Sequence, residues 1–328
     1  MLTRTISKWG LAALSAALLV LLPILQRPCA AAESWPNRPV RFIVTLGAGS
    51  GVDIGARLFA DKLSALWGQP VVVENRPGGD GMVAITAFLA AHDDHVLLVT
   101  PVSSFTAHPY FHDKLPYDPK DLVPIARISN TVIALSVPTA LKINSVKELV
   151  ALAKAKPGQL NWTTATGSTD FVFAGFLHDV GLTMAKVPYK NPVSAVNDLA
   201  EGRIQVYMPA YAIVRPQVAA GKVKVLAVTD KSRAAPIPEV PTTAEAGLPG
   251  LVSIGWFAMA GPPRMKPELA DLISRAANDV LKMDDVQAKF RAVGVEPIGG
   301  APAAMAAFVK EESARWGDVI RKNNIVLD

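Results

Sequence analysis

Val40-Arg41-Phe42-Ile43-Val44 is an apolar run that ends in a glycine-rich turn, Thr45 to Asp53. Apolar residues at helical spacing follow at once: Ile54, Leu58, Phe59, Leu63, Leu66 and Trp67. The period switches from that of a strand to that of a helix, so the chain must lay a helix back across a strand. Gly68-Gln69-Pro70 stops the helix, and a second run, Val71-Val72-Val73, closes in Asn75-Arg76-Pro77-Gly78-Gly79. A helix over 80–91 and a third run, Val96 to Val99, complete a β-α-β-α-β order. That order predicts an α/β fold with a mainly parallel sheet covered by helices on both faces.

A second set of elements begins after about residue 130. Strands are expected at 131–137, 160–164, around 186–189, at 204–208 and at 223–228. Ser145 with Glu148 forms an S-x-x-E capping pattern that opens a helix ending before Pro157-Gly158. Further helices are expected over 170–180, 192–201, 267–282 and 302–323, with a Pro/Gly-rich loop over 236–249.

The first 32 residues belong to a different class of segment. Arg4 and Lys8 precede an apolar run, WGLAALSAALLVLLPIL, and the stretch closes in Cys29-Ala30-Ala31-Ala32. A charged start, an apolar centre and a small-residue site read as a cleavable secretory signal peptide. The alternatives are an uncleaved anchor helix, for which the run is short, and a lipoprotein, for which Gln26-Arg27-Pro28 is the wrong approach to Cys29. Removal of residues 1–32 takes away three of the 33 Lys and Arg and none of the 28 Asp and Glu, leaving a balance of +2. It also takes the single cysteine. The mature chain can then form no disulfide, thiolate nucleophile or cysteine metal site. With no Lys/Arg block, nucleic-acid binding has no support. Export also removes a steady supply of nucleotide cofactors, so no cofactor is expected.

The loop at 45–53 carries the strongest chemical signal. Gly47, Gly49 and Gly51 lie between a strand and a helix, where converging N–H groups and a helix N-terminus favour an anion. A tight turn without ligand is the plainer alternative. The loop is neither a G-x-G-x-x-G fingerprint, nor a P-loop, nor a G-x-S-x-G elbow, and an exported hydrolase finds no Ser-His-Asp arrangement. A second polar cluster, Thr163 to Asp170, repeats the strand–loop–helix arrangement in the other half of the chain. Two such loops, one per half, would form a cleft beyond the carboxyl ends of strands. His92 with His95, and His108 with His112, invite a metal reading. The polar turn around the first pair and Pro109 within the second favour solvent-exposed histidines instead, with no metal.

Several blocks resemble the Bug family, the periplasmic solute receptors of tripartite tricarboxylate transporters. They are Trp35-Pro36-Asn37-Arg38-Pro39; Gly68-Gln69-Pro70-Val71-Val72-Val73-Glu74-Asn75-Arg76-Pro77-Gly78; Lys114-Leu115-Pro116-Tyr117-Asp118-Pro119; Val187-Pro188-Tyr189-Lys190; Gly221-Lys222; and Val240-Pro241-Thr242 with Glu245-Ala246-Gly247. The similarity runs over about 34–328. It implies a two-domain, type II-like clamshell without catalysis. Residues 33–135 plus 256–328 would form one domain and 136–255 the other. The clamshell would be a periplasmic, expectedly monomeric receptor that closes on a small organic carboxylate and docks transiently to membrane permease subunits. A periplasmic sensor that partners a sensor kinase is the alternative.

By position, the resemblance assigns ligand contacts to Thr45, Ala48, Gly49, Ser50, Gly51 and Asp53, and to Thr100, Ser103 and Ser104. From the opposing domain it assigns Thr164, Thr166, Gly167, Ser168, Thr169, Tyr189 and Tyr211. A valine at Gly49 is expected to fill the loop beside the carboxylate. The chain departs from the family pattern in its first loop, in its short opposing loop ending at Asp170, and at Met208-Pro209-Ala210-Tyr211, where an acid is usual. With Phe105, Phe171 and Trp256 nearby, an apolar or aromatic carboxylate is expected.

Overall fold

The computed structural model describes residues 35–112, 114–189 and 191–323. The signal-peptide assignment lies outside them. The chain divides between Asn37 and Arg38, and the fold below is that of the part from Arg38 onward.

The first sheet is built as the apolar periodicity predicts. β1 (Val40–Val44) pairs in parallel with β2 (Val71–Asn75) on one side and β3 (Val96–Pro101) on the other. Helix α1 (Gly51–Trp67) joins β1 to β2. The Ser50 hydroxyl accepts from the Asp53 N–H at its start, and Gly68 ends it in the left-handed region, φ 65°. The helix buries Ala56 together with Val52, Phe59 and Leu63, the last three each worth roughly 1.5–3 kcal/mol as apolar area removed from water. Gly55 permits the close approach, since a Cβ there would lie 2.4 Å from the Phe257 ring. Helix α2 (Met82–Ala91) returns the chain to β3, and two short helices follow, α3 (Ser103–Thr106) and α4 (His108–Phe111).

The sheet is mixed rather than mainly parallel. β4 (Val123–Thr131), β10 (Gly255–Gly261) and β11 (Val295–Pro297) complete the order β11-β4-β10-β3-β1-β2. All three pairings that involve β10 or β11 are antiparallel. The reason is connectivity: β4 leaves the sheet and β10 re-enters it, so the two run in opposite directions side by side. Helices α9 (Pro267–Leu281), α10 (Asp284–Ala292) and α11 (Pro302–Asn323) then close this half.

The second sheet, in the order β7-β6-β8-β5-β9, is also mixed. β6 (Asn161–Thr164) lies parallel to β7 (Ala185–Lys186) and β8 (Val206–Met208). β5 (Ala134–Pro138) runs antiparallel to β8 and β9 (Val223–Val228). Helices α5 (Val146–Ala155) and α6 (Gly167–Asp179) pack on it with α7 (Ala195–Ala200) and α8 (Tyr211–Ala219). Ser145 caps α5 as expected, but Glu148 reaches back to the Asn144 N–H, one residue before the cap.

The stretch expected as one strand at 131–137 is the end of β4 and all of β5, and the chain changes sheets between them. It crosses back beside the same place, before Gly255. Thr229 donates its hydroxyl to Ser253 O at 2.6 Å and its N–H to Ile133 O at 3.0 Å. A Cβ on Gly255 would lie 2.7 Å from Ile133 and 3.0 Å from Thr131 O. The two connections therefore run in contact.

Candidate functional site

The carboxyl end of β1 and the start of α1 form one wall of a cleft. Thr45, just after β1, is buried, its hydroxyl 3.1 Å from that of Thr100, which lies 2.6 Å from the Ser104 hydroxyl. Ala48 and Gly49 are exposed at the loop tip. A Cβ at Gly49 meets nothing within 4 Å, and its φ is +82°. A valine there would strain the backbone as well as project from the loop tip.

Asp53 is buried, and both its oxygens are engaged within the protein. Gly49 N–H donates to Oδ2 at 2.9 Å, Asn75 Nδ2 to Oδ1 at 2.9 Å, and Arg57 Nε lies 3.0 Å from Oδ1. Asn75 also donates to Leu46 O at 2.9 Å. The Asn of the V-V-V-E-N block and the acid of the first helical turn thus fix the loop's shape. Asp53 orients the Gly49 N–H and the Asn75 amide within the loop.

The opposing wall is the start of α6. Thr166 caps the helix reciprocally: it accepts from the Thr169 N–H, and its own N–H donates to the Thr169 hydroxyl at 3.2 Å. Gly167 is the first helical residue. The Ser168 hydroxyl lies 3.1 Å from that of Thr166. Thr164 donates to Asp170, and Lys186 Nζ to the other Asp170 oxygen at 2.8 Å. Burial raises the Asp170 carboxyl above its ordinary range, opposed by Lys186 and Thr164.

Between these walls lies a cavity of about 40 Å³. It brings together Gly51, Thr166, Ser168 and Thr169 from the sequence-derived set with Leu46, Val52, Val102 and Trp256. Thr131, Ile133 and Ser253, from the two connections between the sheets, also line it. Every lining residue among those described is uncharged. Ser103, fully buried, and Trp256 leave Oγ and Nε1 without hydrogen-bond partners.

A match to the family described as tripartite tricarboxylate transporter family receptor covers residues 55–325. The chain belongs to this family. Its likeness extends to BugT of Bordetella pertussis, at 31% identity over 90% of this chain and 92% of BugT. An R. palustris protein solved with adipate shares 31% identity and a TM-score of 0.86, over 89% of this chain and 99% of its own. MatC of Rhodopseudomonas palustris, solved with malate, shares 25% identity and a TM-score of 0.81, over 87% and 100%. The family and fold are those of periplasmic solute-binding proteins.

Two residues that the resemblance to this receptor family assigns to the ligand, Tyr189 and Tyr211, make contacts within the second half of the chain or against Gly294. The Tyr189 hydroxyl donates to Asp198, which also holds Arg203; burial and that carboxylate push the phenol up to about 12. Tyr211 is buried against Gly294, where a Cβ would sit 2.9 Å from its ring. Both are apolar-cluster residues of the second sheet, outside the cleft lining. Of the three expected aromatics, Phe105 stacks on Trp256 at 5.7 Å and Phe171 is buried, so only Trp256 borders the cleft.

Sequence reasoning missed Asn191. It overhangs Gly47 from the other half of the chain, where a Cβ on Gly47 would lie 2.4 Å from its amide nitrogen. No local pattern marks it, because the contact joins residues distant in sequence. The two histidine pairs also depart from expectation: His92 is exposed, but His95 and His108 are buried and His112 is half-buried. Pro109 sits in the first turn of α4 and helps start the helix that carries His108 inward.

Proposed function

We propose that this receptor captures a small organic acid with an apolar body by closing its two halves over the ligand, and that it delivers the acid in the periplasm to a tripartite transporter of the inner membrane. The observation that carries the reading is the composition of the cleft. The N-termini of α1 and α6 face it from opposite walls, with Thr and Ser hydroxyls beside them and no charged side chain in its lining among the described residues. A carboxylate there is met by N–H groups, hydroxyls and the positive ends of two helices. These satisfy its oxygens without burying a counter-ion. Val52, Val102, Ile213 and the edge of Trp256 offer apolar contact to the remainder of the molecule. The relative solved with adipate supports a ligand whose carboxylates are separated by methylenes. The loops after β1 and β6 supply the donors, the hinge at Thr131–Ala134 and Ser253–Gly255 supplies the motion, and an N-terminal signal supplies export.

A thermal-shift panel tests this. At about 100 times Kd, ligand linkage stabilises by roughly 2.7 kcal/mol, or about 5–10 °C for a chain of this size. Adipate or benzoate should raise the midpoint by that order, and malate by less. No response to any carboxylate would overturn the reading; a response to malate alone would overturn the apolar body.

A further inference from the structure

The wall at α6 already holds an anion of its own. Asp170 lies in the first turn of that helix, where the positive end of the helix favours a carboxylate. Its neighbours Thr166, Ser168 and Thr169 line the cleft, whereas Asp170 does not. Its side chain is 17% exposed. The Thr164 hydroxyl donates to Oδ1, and Lys186 Nζ donates to Oδ2 at 2.8 Å.

The wall at α1 also carries an acid in its first turn, but the two are held differently. Asp53 is met by three donors, the Gly49 N–H, the Asn75 amide and the Arg57 guanidinium. Asp170 has two. Lys186 pairs with it one to one and is exposed, so the pair brings no excess positive charge to the cleft. The first half of the chain adds like charge: Asp80, itself engaged with His108 at 3.1 Å, opposes the ionised form of Asp170. Burial is the larger influence in the same direction, and Lys186 and Thr164 act against both.

A ligand carboxylate at the α1 wall therefore meets donors whose acid is fully engaged. One at the α6 wall meets hydroxyls and N–H groups with an under-supplied carboxylate directly beside them. Two carboxylates at close range with no further cation do not both stay ionised. We propose that Asp170 is a specificity-determining residue: a carboxyl end of the ligand enters the α6 wall only with one proton taken from solvent and shared with Asp170, whereas a neutral end enters without one. The inference rests on the capture of an organic acid between α1 and α6. It adds that this wall discriminates against a dianion and matches a monoanion whose far end is uncharged, and that the discrimination grows as pH rises.

Calorimetry of the full chain with adipate and with its monomethyl ester tests this. The two probes share a carbon chain and differ by one charge. Each is titrated in two buffers of different ionisation enthalpy at about pH 8, where both adipate carboxyls are ionised. Adipate should take up close to one proton, and its Kd should rise about tenfold per pH unit between about pH 7 and 9. The monoester should take up none and keep a flat Kd. Asp170→Asn retains the side-chain shape and an acceptor for Thr164. It should abolish the uptake, flatten the adipate profile and tighten adipate about tenfold or more at the upper end of that range, with little change for the monoester. A merely structural Asp170 would alter both ligands alike. Binding of both acids with no proton uptake for adipate overturns the inference and leaves the capture of organic acids standing. So does an adipate profile that keeps its slope in Asp170→Asn. Failure of both acids to bind overturns the reading of the cleft and this inference with it. The uptake is read on the unaltered protein, so the outcome does not hang on the folding of the variant.

Discussion

Gly47→Ala places one methyl group where the two halves of the receptor meet. Its Cβ would stand 2.4 Å from Asn191 Nδ2, 2.6 Å from Oδ1 and 2.7 Å from Cγ. Ordinary contact begins near 3.4 Å, so the overlap is about 1 Å against a whole amide group. The amide cannot simply swing away at no cost, because its Oδ1 accepts from the Val193 N–H at 3.1 Å. Overpacking of this kind costs about 1–3 kcal/mol. That cost arises only when Asn191 covers the loop, so it falls on the closed form and not on the fold of either half. Ligand affinity should therefore drop about 5- to 150-fold, while the urea midpoint measured without ligand stays where it was. Calorimetry with whichever organic acid stabilises the unaltered protein gives the first number, and equilibrium unfolding gives the second. Asn191→Ala in the same chain should restore most of the affinity, since it removes the obstacle. Unchanged affinity for Gly47→Ala, or a loss that Asn191→Ala does not repair, would refute closure by this contact.

Asp53→Ala leaves the Gly49 N–H and the Asn75 amide unpaired in a buried loop, and should cost about 1–3 kcal/mol in a urea unfolding experiment and weaken ligand binding as well. The Asp93 carboxyl is held below its ordinary 3.8, first by the side-chain hydrogen bond from Arg38. A depressed carboxylate contributes stability above 3.8 that is lost as pH falls through the lowered value. Arg38→Met should flatten that acid limb in thermal melts taken from neutral pH downward; an acid limb as steep as that of the unaltered protein would show that the pair contributes nothing measurable.

Much of the fold was legible because its signals are local. β1, α1, β2, α2 and β3 announce themselves by a period that changes from two to 3.6, and Ser145 caps α5 where its spacing says it should. β10 escaped because Gly255–Gly261 is buried on both faces and rich in Ala and Met, so it has neither alternation nor β-branched residues. β4 carries Pro124 near its start and no regular alternation, and α8 contains Pro216, which reads as a break. At the site, the two strand-end loops could be read from their glycines and hydroxyls. Which of those residues turn toward the cleft could not, because that depends on partners elsewhere in the chain. Asp53 is consumed by Asn75, and Tyr189 by Asp198. The contact of His108 with Asp80 likewise joins residues from separate elements.

The placement of β10 between β4 and β3 has a consequence for the order in which the molecule assembles. The first sheet lacks a central strand until Gly255 to Gly261 has been made, and by then the chain has passed through every strand of the second sheet. The second sheet is continuous in sequence and can form early. The first must hold β3 and β4 apart, each with an unpaired edge, for most of the chain's synthesis. A chain stopped short of residue 255 would present both edges at once, and those edges are where it should be caught by a chaperone or lost to aggregation.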